Sequence, residues 1–501
     1  MFACFAVVLA ILLLVYRRLS RRGGAPQPSF IPEKIPFVSH ALGIARHGAV
    51  YYKSISDRTR LPIFGLRLLT QTIYVVTDAN LISKIQRHPT ISFDPFVLLA
   101  AERLCGASPA MLQTMRNEMK DGKKTRSSLM NESHILTHSA FRSQTNLSEM
   151  VGKILDIVSG ELEHTSAGDL FQWVRHTVCL ASTDAVYGPQ NPFRVDTGLE
   201  DAFWNYDADL SLLLLNFLPS LTARKGHFAK KALRQAFTNY FRNGGSEKAS
   251  GFVRACNEAN RKRGISEEDQ AGFEVVHCIG LLVNTPPTLF WMIYHIFSDP
   301  DLLEKLRIEL IACLQPDNIE DSTAKILDIE KVVSDSPLFQ STFKEVLRAH
   351  ASSLSTRIVL EDTSIGSDIL LKKNAVVHMP SACLHSDPAY FGPGTESFDA
   401  SRFLPGNLLK EGMAAKSQAA FRPFGGGSTL CPGRHFATMQ ILSITALVVL
   451  GFDVVPERGE WVCPRVLEST MTTTVLPPKE DVRVRFERRR DPRVGSLRFK
   501  V

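Results

Sequence analysis

The stretch Phe421–Ala437, FRPFGGGSTLCPGRHFA, is the most informative part of this chain. Its three glycines, Gly425, Gly426 and Gly427, invite comparison with a phosphate loop, but no G-K-[ST] comes after Gly427. Instead the chain continues through Cys431 and Pro432 into an apolar run from Phe436 to Leu450. Proline is favoured at the first helical position, so the spacing predicts a helix that opens at Pro432 with Cys431 as its N-cap. A thiol there meets the positive end of the helix dipole and the free N–H groups of the first turn. Both favour thiolate, the form that binds metal. The glycines let backbone amides turn toward the sulfur. A buried cysteine at a helix start is the competing reading, and for a lone cysteine it is the better one.

Outward from this loop the patterns are mostly helical. Helical periodicity dominates from about Met150 to about Cys313, and Leu338–Ala349 is a further helix with Pro337 at its first position. Leu212–Leu218 is apolar except for Asn216, ends at Pro219, and precedes Arg224, Lys225, Lys230 and Lys231. It reads as a buried helix end beside a solvated one, with a membrane-facing substrate entrance as the second reading. Strands are expected at Thr72–Thr77, Arg357–Leu360 and Ala375–His378, and at the alternation of Val482, Val484 and Phe486 with Arg483 and Arg485. Helices with small sheets before and after them imply a mainly α, mixed α+β catalytic domain over residues 37–501.

The composition is that of a large globular chain. Its 501 residues carry a formal charge of +7 with no aromatic-interleaved basic stripe, which argues against nucleic acid as a partner. The nine cysteines are scattered, with no C-x-x-C pair, so no zinc knuckle or dithiol redox site is written here. Met1–Tyr16 is uncharged and spans ~24 Å as a helix, slightly short of a ~30 Å hydrocarbon core. Arg17, Arg18, Arg21 and Arg22 come next, then the prolines of a stiff hinge over residues 17–36. A cleaved signal peptide has its positive charge ahead of the apolar run, so residues 1–16 read as a single membrane anchor with the remainder in the cytosol. The N-x-S sequons at Asn131 and Asn146 then never meet a glycosyltransferase.

The loop resembles the haem loop of the cytochrome P450 superfamily, with Phe424 seven before the cysteine, Gly427 four before and Gly433 two after. The basic residue usual two before the cysteine is Thr429 here. Three further segments are similar to the family in the expected order: Glu345-Val346-Leu347-Arg348 as E-x-x-R, Phe398–Phe403 as F-x-P-E-R-F with Pro and Glu replaced, and Leu384–Phe391, LHSDPAYF. The resemblance implies haem bound through Cys431, a buried triad of Glu345, Arg348 and Arg402, and a propionate contact at Arg357. It leaves the family's basic contact on an early helix unplaced. It also implies the P450 fold behind a transmembrane helix at the endoplasmic reticulum, and electrons from an NADPH–cytochrome reductase, with cytochrome b5 as a second donor.

On the oxygen side the family's A-G-x-[DE]-T corresponds to Gly280–Thr285, so Val283 holds the acid position and Asn284 that of the relay threonine. N-T before prolines and F-W is similar to the branch of sterol and bile-acid hydroxylases and prostacyclin synthase. Pro286 and Pro287 have no N–H, so the carbonyls of Leu282 and Val283 lose their helical partners. Asn284 and Thr285 then offer an amide and a hydroxyl that hold water. The resemblance implies a monooxygenase acting on a hydrophobic terpenoid, steroid or polyketide. A reductase-independent peroxide isomerase is the alternative, and a non-catalytic haem sensor ranks last.

Overall fold

The computed structural model describes residues 27–501 apart from 36–37, 69–70, 317–324, 408–412 and 471. The expected anchor and most of the hinge lie outside the described residues. The helices that build the site are α1 (Leu129–Ala140), α2 (Gln144–His164), α3 (Leu170–Tyr187), α4 (Arg224–Arg242), α5 (Glu267–Leu282), α6 (Thr285–Phe297), α7 (Pro300–Ile311), α8 (Pro337–His350) and α9 (Arg434–Gly451). Helix α9 is the apolar run after the cysteine loop. It is buried from Phe436 to Leu450 except for Ala437 and Thr438, and packs against α2, α6 and α7. Helices α5–α6 and α9 are apolar and long enough to cross a membrane, yet about two thirds or more of each apolar window, 67% and 72%, is buried, which marks them as core helices.

A five-stranded sheet flanks this helical body in the order β1–β2–β5–β4–β3, with β1 (Ile63–Arg67), β2 (Thr72–Val76), β3 (Ile91–Ser92), β4 (Leu354–Val359) and β5 (Val376–Pro380). Strands β2 and β5 run parallel with Tyr74 opposite Val377, and β4 is antiparallel to β5 with Arg357 opposite Val377. The terminal alternation forms β7 (Arg483–Arg488), antiparallel to β6 (Phe452–Pro456). Val484 and Phe486 point into the core, while Arg483 and Arg485 point out. The mainly helical architecture with small sheets is the one the sequence predicts.

Two local expectations are corrected. The Leu212–Leu218 segment is not a buried helix end. Its helix stops at Leu215 because Asn216 adopts a left-handed conformation, φ +54°, which turns the chain outward. Leu215 and Leu221 are 70% and 74% exposed, and Phe217, Leu218 and Phe228 are exposed with them. Nor is the cysteine the N-cap of α9, because that helix opens three residues later.

Candidate active site

The cysteine loop is closed by its own backbone. Cys431 donates its N–H to the Phe424 carbonyl at 3.0 Å, so the chain makes one further turn through Pro432 and Gly433 before α9 begins at Arg434. Gly433, not Cys431, is the N-cap. Gly425 and Gly427 hold φ of +76° and +61°, conformations that disfavour a side chain. At Gly427 a Cβ would also meet Gln86 at 3.1 Å. Burial pushes the Cys431 thiol up, and the opposing pull of the Gly433 N–H and of Arg434 does not overtake it. The expected influence of nearby donors is therefore present but smaller than desolvation.

Behind the loop lies a buried ionic knot. Glu345 is fully buried and accepts from Arg348 Nε and Nη2 at 2.8 and 2.7 Å, from Arg402 Nε at 3.1 Å to each oxygen, and from the Asp399 N–H at 3.0 Å. Two guanidiniums on one carboxylate leave an excess positive charge. Backbone carbonyls offset it: His385 and Thr395 accept from Arg348, and Phe391 and Gly394 from Arg402. His385 links the knot to the cysteine loop, because its Nε2 accepts the Arg422 N–H at 3.0 Å. The E-x-x-R pair, weak as a motif, is thus no surface ion pair.

The opposite wall is a broken helix. Helix α5 ends at Leu282 and α6 starts at Thr285, with the interruption falling where the two prolines withdraw their donors. Asn284 does not present both ends of its amide to open space, because its Oδ1 accepts the Thr474 N–H at 2.6 Å and pins the break to the chain after β6. Thr288 Oγ1 donates to the Asn284 carbonyl at 2.7 Å. Trp291 anchors the same segment through Nε1–H to the Leu476 carbonyl, 2.8 Å, and stacks on His350 at 3.9 Å.

Between the walls is a cavity of about 490 Å³ lined by Cys431, Phe424 and Gly433 on one side and by Gly280, Asn284 and Thr285 on the other. Gly427 and the Glu345 knot stand behind the lining rather than in it. Eight cysteines are described, all free, and Cys431 is the one among them that lines this cavity. Arg357 is buried at its edge and donates to Thr429 Oγ1 at 2.6 Å and to the Thr356 carbonyl at 2.7 Å. No carboxylate lies within ion-pairing distance of it among the described residues. Desolvation lowers its guanidinium to about 10, with Asp94 pulling weakly the other way.

Helix α1 also reaches the site, where its Thr137 lines the cavity. On it His134 and His138 stand one turn apart with ring centres 4.4 Å apart. Burial lowers both, and then Lys124 acts on His134 and Arg142 and Arg434 on His138. Asp94 acts against these cations on His134. The i, i+4 histidines were visible in the sequence, but only the fold brings His138 within electrostatic reach of Arg434.

A model of the family described as Cytochrome P450 matches residues 28–482. The chain is 33% identical over 504 residues to "Cytochrome P450 monooxygenase nodJ" of Hypoxylon pulicicidum, covering 99% of this chain and 96% of that one. It is 28% identical to a "Cytochrome P450 monooxygenase" of Gibberella zeae, over 95% and 91% of the two chains. A 213-residue match at 26% identity joins 41% of this chain to 42% of "Cholesterol 7-alpha-monooxygenase" of Cricetulus griseus. The solved structure titled "Retinoic acid bound cyanobacterial CYP120A1" superimposes with a TM-score of 0.70 at 18% identity, over 93% of this chain and 100% of that one.

Fold and cavity together define a haem-thiolate class of protein. The chain belongs to the cytochrome P450 family and is a monooxygenase, whose cofactor is haem ligated by a cysteine thiolate. The isomerase and sensor readings have no support in these relatives. The residues present fit that group. They offer a soft sulfur donor in an apolar cavity, a buried guanidinium without a counter-ion, and a Gly433 at which a Cβ would meet no protein atom within 4 Å.

Proposed function

We propose that Cys431 would supply the sulfur ligand to haem iron, that Arg357 with Thr429 would hold one haem propionate, and that Asn284 and Thr285 order water on the oxygen side. The observation that carries this is the cavity in which Cys431 alone among the described cysteines faces the broken helix. Bound haem supplies oxygen activation and oxidation of an unactivated carbon, and a thiolate ligand favours O–O cleavage. The protein's own residues do the rest. Phe424 and the glycine turn shield the sulfur, and the Glu345 knot holds the loop through His385. Asn284, tied to Thr474 through Oδ1, keeps Nδ2 as a donor for water, and the Thr285 hydroxyl can pass a proton along it.

The substrate we assign is a hydrophobic terpenoid, steroid or polyketide in fungal-type secondary metabolism, in keeping with the mainly apolar lining and the monooxygenase relatives. Electrons come singly from an NADPH–cytochrome reductase, with cytochrome b5 as a second donor. The apolar run at residues 1–16 anchors the chain in the endoplasmic reticulum membrane with the catalytic domain cytosolic. Exposed Leu215, Phe217, Leu218 and Leu221, next to Arg224 and Lys225, suit a surface lying on that membrane. Cys431→Ser is the test. Loss of the red-shifted Soret band of the reduced carbon monoxide complex is expected, and an unchanged band would refute the ligand assignment.

A further inference from the structure

Among the polar side chains that line the cavity, His277 is one that the oxidation chemistry leaves unused. His277 lies on α5 seven residues before Asn284, so the two share a helix face, with His277 about 10 Å further along the axis. It lines the main cavity and also a second one of about 170 Å³, and with Val276 it forms their common wall. Its side chain is half-buried, 29% accessible, and His277 lines both cavities, so that accessible surface opens onto them. Among the described residues Nε2 has no partner.

Behind the ring, Nδ1 lies 3.3 Å from Oε1 of Glu274, one turn earlier and buried, at ion-pair distance but without hydrogen-bond geometry. Glu274 Oε2 in turn accepts from the Tyr187 hydroxyl at 3.1 Å, and Tyr187 also touches Cys278 Sγ at 3.3 Å. Phe252 packs against the imidazole with ring centres 5.4 Å apart. Burial acts to lower the imidazole, but Glu274 outweighs it and the net shift is upward. A polar ring beside a buried carboxylate, with an unpaired edge facing an apolar cavity, is costly if nothing ever pairs with it.

We propose that His277 anchors substrate, and that Glu274 is its positioning residue. The ligand class is an apolar skeleton bearing one oxygen function, a hydroxyl or a carbonyl, about two helical turns from the carbon presented to Asn284 and Thr285. A hydroxyl suits the ring in either protonation state, since it both donates and accepts. The proposal rests on the haem-thiolate reading and refines where the substrate sits under it.

The test uses the ferric holoenzyme and a series of 1-alkylimidazoles, from butyl to dodecyl, each paired with its ω-hydroxy counterpart. The imidazole ring binds the iron and shifts the Soret band, and the tail runs along the cavity. At one chain length the ω-hydroxy probe should bind wild type roughly tenfold more tightly than its hydrocarbon twin, as expected for one additional hydrogen bond. His277→Phe should erase that preference and His277→Gln should restore part of it, while plain imidazole still shifts the band in both variants and so reports an intact pocket. Equal affinity within every pair in wild type, or a preference that survives in His277→Phe, overturns the anchor. No shift with plain imidazole in wild type overturns the haem-thiolate reading itself, and the anchor with it.

Discussion

The two walls of the cavity are built by different means. The cysteine wall is a short loop pinned by its own backbone and by the buried knot of Glu345, Arg348 and Arg402, all within segments of regular spacing. The oxygen wall is a helix broken by two prolines and then pinned by groups remote in sequence, Thr474 on Asn284 and Leu476 on Trp291. The first wall gains rigidity from charge in a dry interior. The second gains it from single neutral hydrogen bonds across the fold. Disturbing the first should therefore cost far more than disturbing the second.

The largest expected effect is at Glu345. Glu345→Ala leaves two buried guanidiniums with only carbonyls as partners, and about 3–5 kcal/mol of stability should go with it. Little haem-loaded protein should be recovered, and normal holoenzyme yield with an unchanged denaturation midpoint would refute the role of the knot.

Acid should act next, through the half-buried imidazoles of His295 on α6 and His350 on α8. His295 contacts His350 at 2.8 Å and stacks on Phe398, and burial lowers it to about 3. A folded value below the unfolded one means that the unfolded chain binds more protons, so stability is complete above about pH 6.5 and declines as pH falls toward 3. Between pH 7 and 5 this group alone should contribute a loss on the order of 2 kcal/mol. His295→Phe should flatten that slope in urea titrations, and an identical slope in the variant would exclude His295 as a source.

The smallest effect belongs to the oxygen wall. Asn284→Ala removes the acceptor of the Thr474 N–H and should lower stability by about 1 kcal/mol, with haem content retained. Asn284→Thr is the sharper probe of function: turnover should persist while the fraction of NADPH converted to product changes. Identical coupling in the two proteins would count against a water-holding role.

The same contrast explains what could be read from residues alone. Cys431, Phe424, Gly433, Glu345, Arg348, Arg357 and Arg402 stand in segments whose spacing constrains them, and the E-x-x-R pair falls one turn apart on a helix whatever the rest of the chain does. The proline break was legible too, because a missing N–H is a local fact. The hidden features depend on distant partners. Nothing near Asn284 in sequence announces Thr474, and nothing near Thr137 announces Cys431. No motif singles out Glu274 and His277 either, since they precede the Gly280–Thr285 segment on a helix that Ser266 caps by accepting the Asp269 N–H at 3.2 Å. The Leu215–Leu221 segment reads as buried from its apolarity, and its exposure follows from two left-handed residues, Asn216 and Leu218. At Cys431 a proline-first rule yielded to a backbone hydrogen bond that closes the loop.

Both walls matter only if a sulfur–iron bond joins the cysteine loop to the haem, and X-ray absorption at the iron edge of the ferric holoenzyme detects that bond. One sulfur scatterer in the first coordination shell, absent from Cys431→Ser, is expected. A wild-type shell of nitrogen and oxygen alone would be incompatible with a thiolate ligand.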